Sequence, residues 1–244
     1  EVVRPLRNGV IAEYELTEIF MREMIRKVTG PTLFFRPRLI ISTPYGVTSV
    51  ERRAVQEAGL GAGARDVNLV PQPLAAAIGI DLPINTPTGN MIISLGAGTT
   101  QAAVVSMSGI VSAETSRIAG LRIDDAIITY VRKKYGLIIG QTTAEQLKLN
   151  IGAAIPTEDE KTMEIQGQDQ VTGLPKPASL TTNEIVEAIQ PPWDDIVTTI
   201  RRVLEKTPPE LISDIIDRGV ALCGGTSLMK GLDKYLTVAL GIPA

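Results

Sequence analysis

The segment MIISLGAGTTQAAVV, residues 91–105, decides the fold because it joins two short apolar runs through a turn rich in glycine and threonine. Short apolar runs that are bounded by turn-forming residues are typical of buried β-strands. Glycines in such a turn let backbone N–H groups approach an anion, and the threonines add hydroxyl donors. The segment therefore predicts two paired strands around a phosphate-binding turn, although a plain glycine hairpin fits the same pattern.

Strands and helices alternate on both sides of this hairpin. The predicted strands are 38–44, 67–70, 110–115 and 220–223, and the predicted helices are 14–28, one that starts at the capping box Thr48–Glu51, 74–78, 122–134, 143–149 and 228–240. Thr181 and Glu184 form a second capping box, whose helix we expect Pro191-Pro192 to interrupt before it resumes over 193–206. Thr207-Pro208-Pro209-Glu210 predicts another helix start of the same kind. This order indicates an α/β fold.

A second glycine turn, Gly224-Gly225-Thr226, lies between the last predicted strand and the last predicted helix. The start of a helix offers the positive end of a dipole, and glycine permits close approach of a ligand. Two such turns at strand ends would suit one ligand that is held between two domains. A plain strand-to-helix connection explains the second turn equally well.

Composition narrows the classes of function. A chain of 244 residues with 44% hydrophobic content can form one large or two ordinary domains. The net charge of −3 and the absence of histidine argue against a nucleic-acid partner and remove the commonest general base. The single cysteine cannot form an internal disulfide, which predicts a cytoplasmic compartment. We expect the chain, which starts at Glu1 without methionine, to be a fragment of a longer protein.

Seven segments closely resemble the bacterial rod-shape actin family, MreB/Mbl, and the resemblance extends over essentially the whole chain. They are residues 4–12, 46–55, 73–79, 88–91, 134–140, 171–175 and 205–211. The resemblance implies an actin-like fold with two lobes, each a mixed sheet flanked by helices, plus a small inserted subdomain. We expect residues 1–88 in the first lobe, 89–135 and 183–244 in the core of the second, and 136–182 in the inserted subdomain.

The resemblance also implies a function. Proteins of this family bind ATP with magnesium between the lobes and form filaments on the inner face of the cell membrane. With cell-wall elongation proteins as partners, they guide wall synthesis and determine cell shape. The nucleotide-binding positions carried over to this chain are Gly96, Ala97, Gly98, Thr99, Thr100, Glu145, Lys148, Gly224, Gly225, Thr226 and Ser227.

Two of these positions lie on a predicted helix. Glu145 and Lys148 are three residues apart, so both side chains share one helix face and could grip a ribose together. An exposed ion pair is the alternative interpretation of this spacing.

Two departures from the family pattern concern hydrolysis. The family's phosphate turn begins with an aspartate that places the magnesium, whereas this chain has Ser94, which supplies no charge to a hard cation. Gln72 replaces a glutamate that orients the attacking water, and an amide can still position water by hydrogen bonds. The family's first phosphate hairpin has no counterpart in residues 1–244. We therefore expect ATP binding with weak magnesium affinity and slow hydrolysis or none.

A membrane-facing loop is the last prediction. Leu33, Phe34 and Phe35 follow Gly30-Pro31 and have arginine and lysine neighbours. Apolar side chains on such a loop would enter a lipid interface while the cations meet anionic head groups, which predicts a peripheral protein on the inner membrane face. The alternative is a loop folded onto the protein's own core.

Other functions on the same fold stay open at this point. A sugar kinase or the ATPase domain of a heat-shock chaperone would be an ATP-dependent enzyme or chaperone with the same architecture. A degenerate sequence that has drifted from a functional ancestor would also explain the lost acidic residues.

Overall fold

The computed structural model describes residues 5–30 and 36–244. The first part of the chain contains two small sheets and three helices. Its elements are β1 (Leu6–Arg7), β2 (Val10–Ile11), α1 (Tyr14–Thr29), β3 (Arg38–Thr43), α2 (Ser49–Gly61), β4 (Asp66–Pro71) and α3 (Gln72–Gly79). Strands β1 and β2 form an antiparallel hairpin, whereas β3 and β4 pair in parallel. The predicted capping box at Thr48 and Glu51 is confirmed at the start of α2.

A four-stranded mixed sheet forms the centre of the molecule. Its strands are β5 (Asn90–Leu95), β6 (Thr100–Ser106), β7 (Gly109–Ser116) and β11 (Val220–Cys223), in the order β11-β5-β6-β7. Side chains alternate between the two faces, so Ile93 and Val104 join the large core while Ile92 and Ala103 join a smaller one. Because both faces are covered, the strands read as continuous apolar runs, as the sequence analysis predicts.

A fourth sheet lies within residues 136–182. Strands β8 (Leu137–Ile138), β9 (Thr162–Asp169) and β10 (Pro175–Thr181) are antiparallel, and helices α4 (Gly120–Tyr135) and α5 (Gln141–Ile151) lie next to them in the chain or in space. Leu147 of α5 and Ile165 of β9 belong to the same large core as the central sheet. The division of the chain into two lobes and an insertion stays a prediction.

The longest helix corrects one expectation. Helix α6 runs without a break over Thr182–Glu205 and contains both Pro191 and Pro192. Each proline removes one helical N–H and costs roughly 3 kcal/mol. The apolar face on both sides of the prolines, which includes Ile189, Trp193 and Ile196, is fully buried. Burial of each large side chain contributes about 1.5–3 kcal/mol, so packing along the whole helix outweighs the local penalty. Its capping box, Thr181 with Glu184, is confirmed.

The next helix starts without the predicted capping box. Helix α7 (Pro209–Arg218) has Pro208 at its N-cap, and no side chain caps it. The Thr207 hydroxyl instead donates to the backbone carbonyl of Val203 at 2.7 Å, in the last turn of α6. Thr207 is buried, and its hydroxyl therefore serves the end of one helix rather than the start of the next.

The last helix also begins later than predicted. Gly224 is followed by a single 3-10 turn, Gly225–Leu228, and helix α8 extends only over Leu232–Leu240. Gly231, with a φ of +76°, separates the two elements, in a left-handed conformation that side chains disfavour. The second glycine turn therefore does not have an α-helix N-terminus directly behind it. Among residues 5–30 and 36–244, no helix combines the length and apolarity needed to cross a bilayer.

Candidate functional site

The predicted phosphate turn connects β5 to β6 as a tight loop. Gly96 N–H donates to the Thr99 carbonyl at 3.0 Å, which closes the turn. A Cβ atom on Gly98 would lie 3.1 Å from the Cα of Asn8, so the turn packs closely against the β1–β2 hairpin. The hydroxyl of Thr100 is buried and donates to the carbonyl of Ile118 at 2.7 Å. That bond commits the hydroxyl hydrogen of Thr100 to the protein rather than to a ligand.

The second glycine turn lies directly beside the first. Strand β11 pairs in parallel with β5, and Cys223 lies opposite Ser94. The segments that follow the two strands therefore leave the sheet at the same end. The Thr226 hydroxyl then donates to the Gly96 carbonyl at 2.9 Å and joins the two turns. Gly224 has a φ of +93°, and a Cβ atom there would overlap the backbone carbonyl of Leu95. Only glycine allows the chain to pass so close to β5.

Ser227 closes its own turn. Its hydroxyl donates to the Gly224 carbonyl at 2.6 Å, within the same loop. This bond stabilises the shape of the second glycine turn, and it is the contact that the structure gives to this predicted nucleotide-binding residue.

The start of α4 rests on the phosphate turn. Gly120 N–H donates to the Gly96 carbonyl at 3.1 Å, and Leu121 N–H donates to the Ala97 carbonyl at 2.8 Å. These bonds satisfy two of the N–H groups that lack helical partners at a helix start. A Cβ atom on Gly120 would lie 2.8 Å from the Thr226 hydroxyl oxygen, so three segments meet at this point.

Lys148 of α5 pairs with an acid that the sequence analysis missed. Its Nζ lies 2.7 Å from Oδ1 of Asp124, and it also donates to the Gly120 carbonyl at 3.2 Å. The side chains of Lys148 and Asp124 are only 11% and 1% exposed. Glu145, one turn earlier on α5, is exposed, and the exposed Glu145–Lys148 ion pair, which was the alternative interpretation of their spacing, is not what the structure contains. Burial raises the pKa of the Asp124 carboxyl group, and the Lys148 ammonium opposes that rise.

A sequence signal for Asp124 does exist. The buried positions of α4 are Gly120, Ile123, Asp124, Ile127 and Val131, which form one stripe at helical spacing. A carboxylate within such a stripe is rarely buried unless it has a partner. The partner comes from α5, a different helix, and the sequence pattern gives no indication of which lysine it is.

A cavity opens where these segments meet. It has a volume of about 370 Å³, within the range of small-molecule sites, and its walls include Ala97, Gly120, Gly225 and Thr226. Three acids and three lysines also line it: Asp124, Glu145, Asp159, Lys148, Lys161 and Lys230. The predicted adenosine contacts and both glycine turns therefore border one space, as expected for a nucleotide site between distant parts of the chain.

Comparisons with known proteins agree on one family. The sequence model of the MreB/Mbl protein family matches residues 1–244 of the chain. The chain belongs to the MreB/Mbl family.

Individual relatives support this assignment. The cell shape-determining protein MreB of Escherichia coli is 44% identical over 243 residues, which are 99% of this chain and 70% of the relative. The cell shape-determining protein Mbl of Bacillus subtilis is 41% identical over 241 residues, which cover 99% and 72% of the two chains.

Solved structures agree with the fold. The crystal structure of MreB 5 of Spiroplasma citri bound to AMPPNP matches with a TM-score of 0.94 and 34% identity, over 100% of this chain and 73% of that one. The MamK double helical filament matches with a TM-score of 0.78 and 19% identity, over 97% and 72%, and shows the fold alone. The predicted actin-like α/β fold is confirmed.

The position where the MreB/Mbl resemblance implies a magnesium-placing aspartate is uncharged. Ser94 is buried at the end of β5, and its cross-strand partner in β6 is Gln101. Gln101 contacts Gln72, the first residue of α3, so the neighbours of Ser94 are amides rather than carboxylates. Mg²⁺ prefers oxygen ligands that include carboxylates. Among residues 5–30 and 36–244, no cluster of three acidic, histidine or cysteine side chains could hold a metal ion. The residues present do not fit a Mg²⁺ site of their own.

The predicted membrane loop cannot be compared with the structure. Leu33, Phe34 and Phe35 lie outside the described residues. The exposed side chains of Lys27, Arg36 and Arg38 flank that segment. The membrane assignment therefore stays a prediction.

Proposed function

We propose that this chain is part of an actin-like cytoskeletal protein that binds ATP, forms membrane-associated filaments and helps to determine bacterial cell shape by guiding cell-wall synthesis. The observation that carries the proposal is the bond between Thr226 and the Gly96 carbonyl, which joins two glycine turns from distant parts of the sequence. Relatives in the MreB/Mbl family are named cell shape-determining proteins, and one related structure is described as bound to AMPPNP.

The geometry supports a specific mode of ATP binding. Backbone N–H groups of Ala97, Gly98 and Thr99 would meet the phosphates, since glycine allows an anion to approach the backbone. Lys148 and Glu145 border the other part of the same cavity and would contact the adenosine. Gly225 and Thr226 would lie along the nucleotide between these two groups, because they line the cavity beside Ala97.

We propose that hydrolysis is weak. ATP turnover depends on the charge that a magnesium ion and preorganised donors supply to the phosphates. Ser94 offers a hydroxyl and its neighbours offer amide groups, while Asp124, a buried acid of the cavity, is paired with Lys148. Gln72 is the residue that would position the attacking water. This combination favours a protein that holds its nucleotide for a long time.

We further propose the predicted arrangement of lobes. Residues 1–88 would belong to the first lobe, 89–135 and 183–244 to the second, and 136–182 to the inserted subdomain. The separate sheets support this division, because β3–β4, the central sheet and the β8–β10 sheet share no strand pairing among the described residues. The two glycine turns and Lys148 would then all come from the second lobe and its insertion.

The proposal also includes attachment to the membrane and contact with cell-wall elongation proteins. Residues 33–35 would enter the inner face of the cell membrane, and the filament would contact cell-wall elongation proteins from there. MamK, which shares the fold, is described as a double helical filament, which supports self-assembly as a property of the fold. Binding to anionic liposomes should fall when Phe34 and Phe35 are both changed to alanine, and unchanged binding would contradict the loop assignment.

A titration with a fluorescent ATP analogue tests the central claim. The wild-type protein should bind, and Thr226→Val should weaken binding about threefold to tenfold, since it removes one hydrogen bond that shapes the site. Thr198→Val is the matched control, because the Thr198 hydroxyl makes only a helical bond to Asp194 on an exposed surface. Its affinity should stay within about twofold of the wild type. Equal losses in both variants, or no binding by the wild type, would contradict the proposal.

A further inference from the structure

One buried side chain connects three segments beside the phosphate turn. Gln101 of β6 is fully buried, and its Oε1 accepts a hydrogen bond from the Tyr45 backbone N–H at 2.9 Å. Its Nε2 donates to Oε1 of Gln72 at 2.5 Å. The Thr115 hydroxyl adds a bond to the Tyr45 carbonyl at 2.8 Å. The loop after β3, the start of α3 and the strands β6 and β7 are therefore linked through two side-chain amides and one hydroxyl.

The orientations of the Gln101 and Gln72 amide groups follow from the Tyr45 backbone N–H. A backbone N–H can only donate, so the amide group of Gln101 must turn its oxygen towards Tyr45. The nitrogen of that amide then faces Gln72 and requires an oxygen there. Gln72 consequently has its Oε1 engaged by Gln101, and its Nε2 is the group that remains to donate.

Gln101 also occupies a defined place in the sheet. It is the cross-strand partner of Ser94, and directly opposite residues of two paired strands extend from the same face. The amide chain therefore lies beside the residue at which the phosphate turn begins. Gln101 is buried, so the hydrogen bonds of its side chain are protected from competition with water.

We propose that Gln101 is a positioning residue that locks Gln72 in an orientation in which Gln72 offers a donor, not an acceptor. This inference rests on the proposed function, in which Gln72 positions the attacking water. A water that accepts a hydrogen bond from Nε2 has one of its two lone pairs engaged, and its oxygen is a weaker nucleophile towards phosphorus. An acceptor at the same place would instead orient the water through its hydrogen. The lock therefore slows hydrolysis independently of Ser94.

Gln101→Glu tests this directly. A carboxylate at residue 101 accepts from both Tyr45 N–H and Gln72 Nε2, which turns the Gln72 amide over and exposes its oxygen. Phosphate release at saturating ATP should rise about threefold or more, the effect of a modest gain in water orientation. A folded variant that binds ATP and releases phosphate at the wild-type rate would overturn the inference.

The Gln72→Met background separates positioning from a direct effect of charge. If Gln101 acts through Gln72, adding Gln101→Glu to Gln72→Met should produce no acceleration. Acceleration of the same size in both backgrounds would show that residue 101 acts without Gln72, which overturns the positioning role.

A measurement without nucleotide keeps the inference testable even if the buried charge prevents folding. Gln101→Met is uncharged and fills a similar volume. In ¹⁵N-labelled protein it should shift the side-chain amide resonances of Gln72, assigned by their loss in Gln72→Met, and speed hydrogen exchange at the Tyr45 amide about tenfold. Unchanged resonances and an unchanged exchange rate would contradict the hydrogen bonds that link Tyr45, Gln101 and Gln72. Absence of binding to a fluorescent ATP analogue would instead contradict the proposed function and leave these two readouts intact.

Discussion

The wall of the cavity and the strands that lead into the phosphate turn differ in charge. At the α4–α5 wall, Asp124 and Lys148 form a buried ion pair with 2.7 Å between the charged atoms. Beside the phosphate turn, Ser94 of β5, Gln101 of β6 and Gln72 of α3 form a group of uncharged side chains that are linked by hydrogen bonds or by strand pairing. Binding a nucleoside needs shape and a few fixed polar groups, whereas transferring a phosphoryl group needs concentrated charge. This difference is the basis of our proposal that the site holds a nucleotide but cleaves it slowly.

Lys148→Met should remove the buried ion pair with Asp124 and produce the largest loss of stability. It leaves the Asp124 carboxylate buried without its partner, which typically costs about 3–5 kcal/mol of unfolding free energy. Urea denaturation measures the loss. The double variant Asp124→Asn with Lys148→Met is the control, because it removes both charges and should recover a large part of that stability. A double variant as unstable as Lys148→Met would show that the ion pair is not the source.

Ser94→Asp should add a charge to the uncharged group beside the phosphate turn. A carboxylate at the start of the phosphate turn can hold the waters of a magnesium ion, so phosphate release should rise about tenfold when magnesium is present. The matched control is Ser94→Ala, which should leave the slow rate unchanged. An equal rise without magnesium would contradict a role in metal placement, and no rise would show that the amides alone limit the reaction.

Acid titration should give the smallest effect and supplies a reference outside the cavity. Asp169 accepts bonds from the backbone N–H groups of Thr172 and Val171, which lower its pKa to about 2. Its ionised form is therefore stabilised by folding, and this contribution is present above about pH 4 and lost as the pH falls towards 2. Asp169→Asn should flatten the fall in thermal stability over that range. Unchanged acid sensitivity would place its source elsewhere.

Asp124 provides the opposite sign for comparison. Because burial raises its pKa, folding favours the protonated form, and its contribution to stability falls as the pH rises through the raised pKa. The same kind of side chain thus responds in opposite ways in a solvent-accessible hairpin and in the cavity wall. Asp124→Asn should remove this second dependence while leaving the acid loss from Asp169 in place.

Local signals were reliable where the partners are close in sequence. The capping boxes at Thr48 and Thr181 formed as predicted, because each joins a side chain to a backbone group three residues away. The prediction from the same pattern at Thr207 was wrong, because its buried hydroxyl donates to a carbonyl at the end of α6 instead. Pro191 and Pro192 did not end their helix, because packing along α6 outweighed a local penalty. These errors arise where tertiary burial competes with a local preference.

The sequence by itself determined the α/β class, the two glycine turns, the family resemblance and the loss of charge at Ser94, since each depends on residue identity or short spacing. Only the tertiary structure decided that Thr226 meets Gly96, that Lys148 turns to Asp124 rather than to Glu145, and that Gln101 sets the orientation of Gln72. The physical reason is that these bonds join groups far apart along the chain. Their partners are chosen by strand pairing and helix packing, which no local pattern specifies.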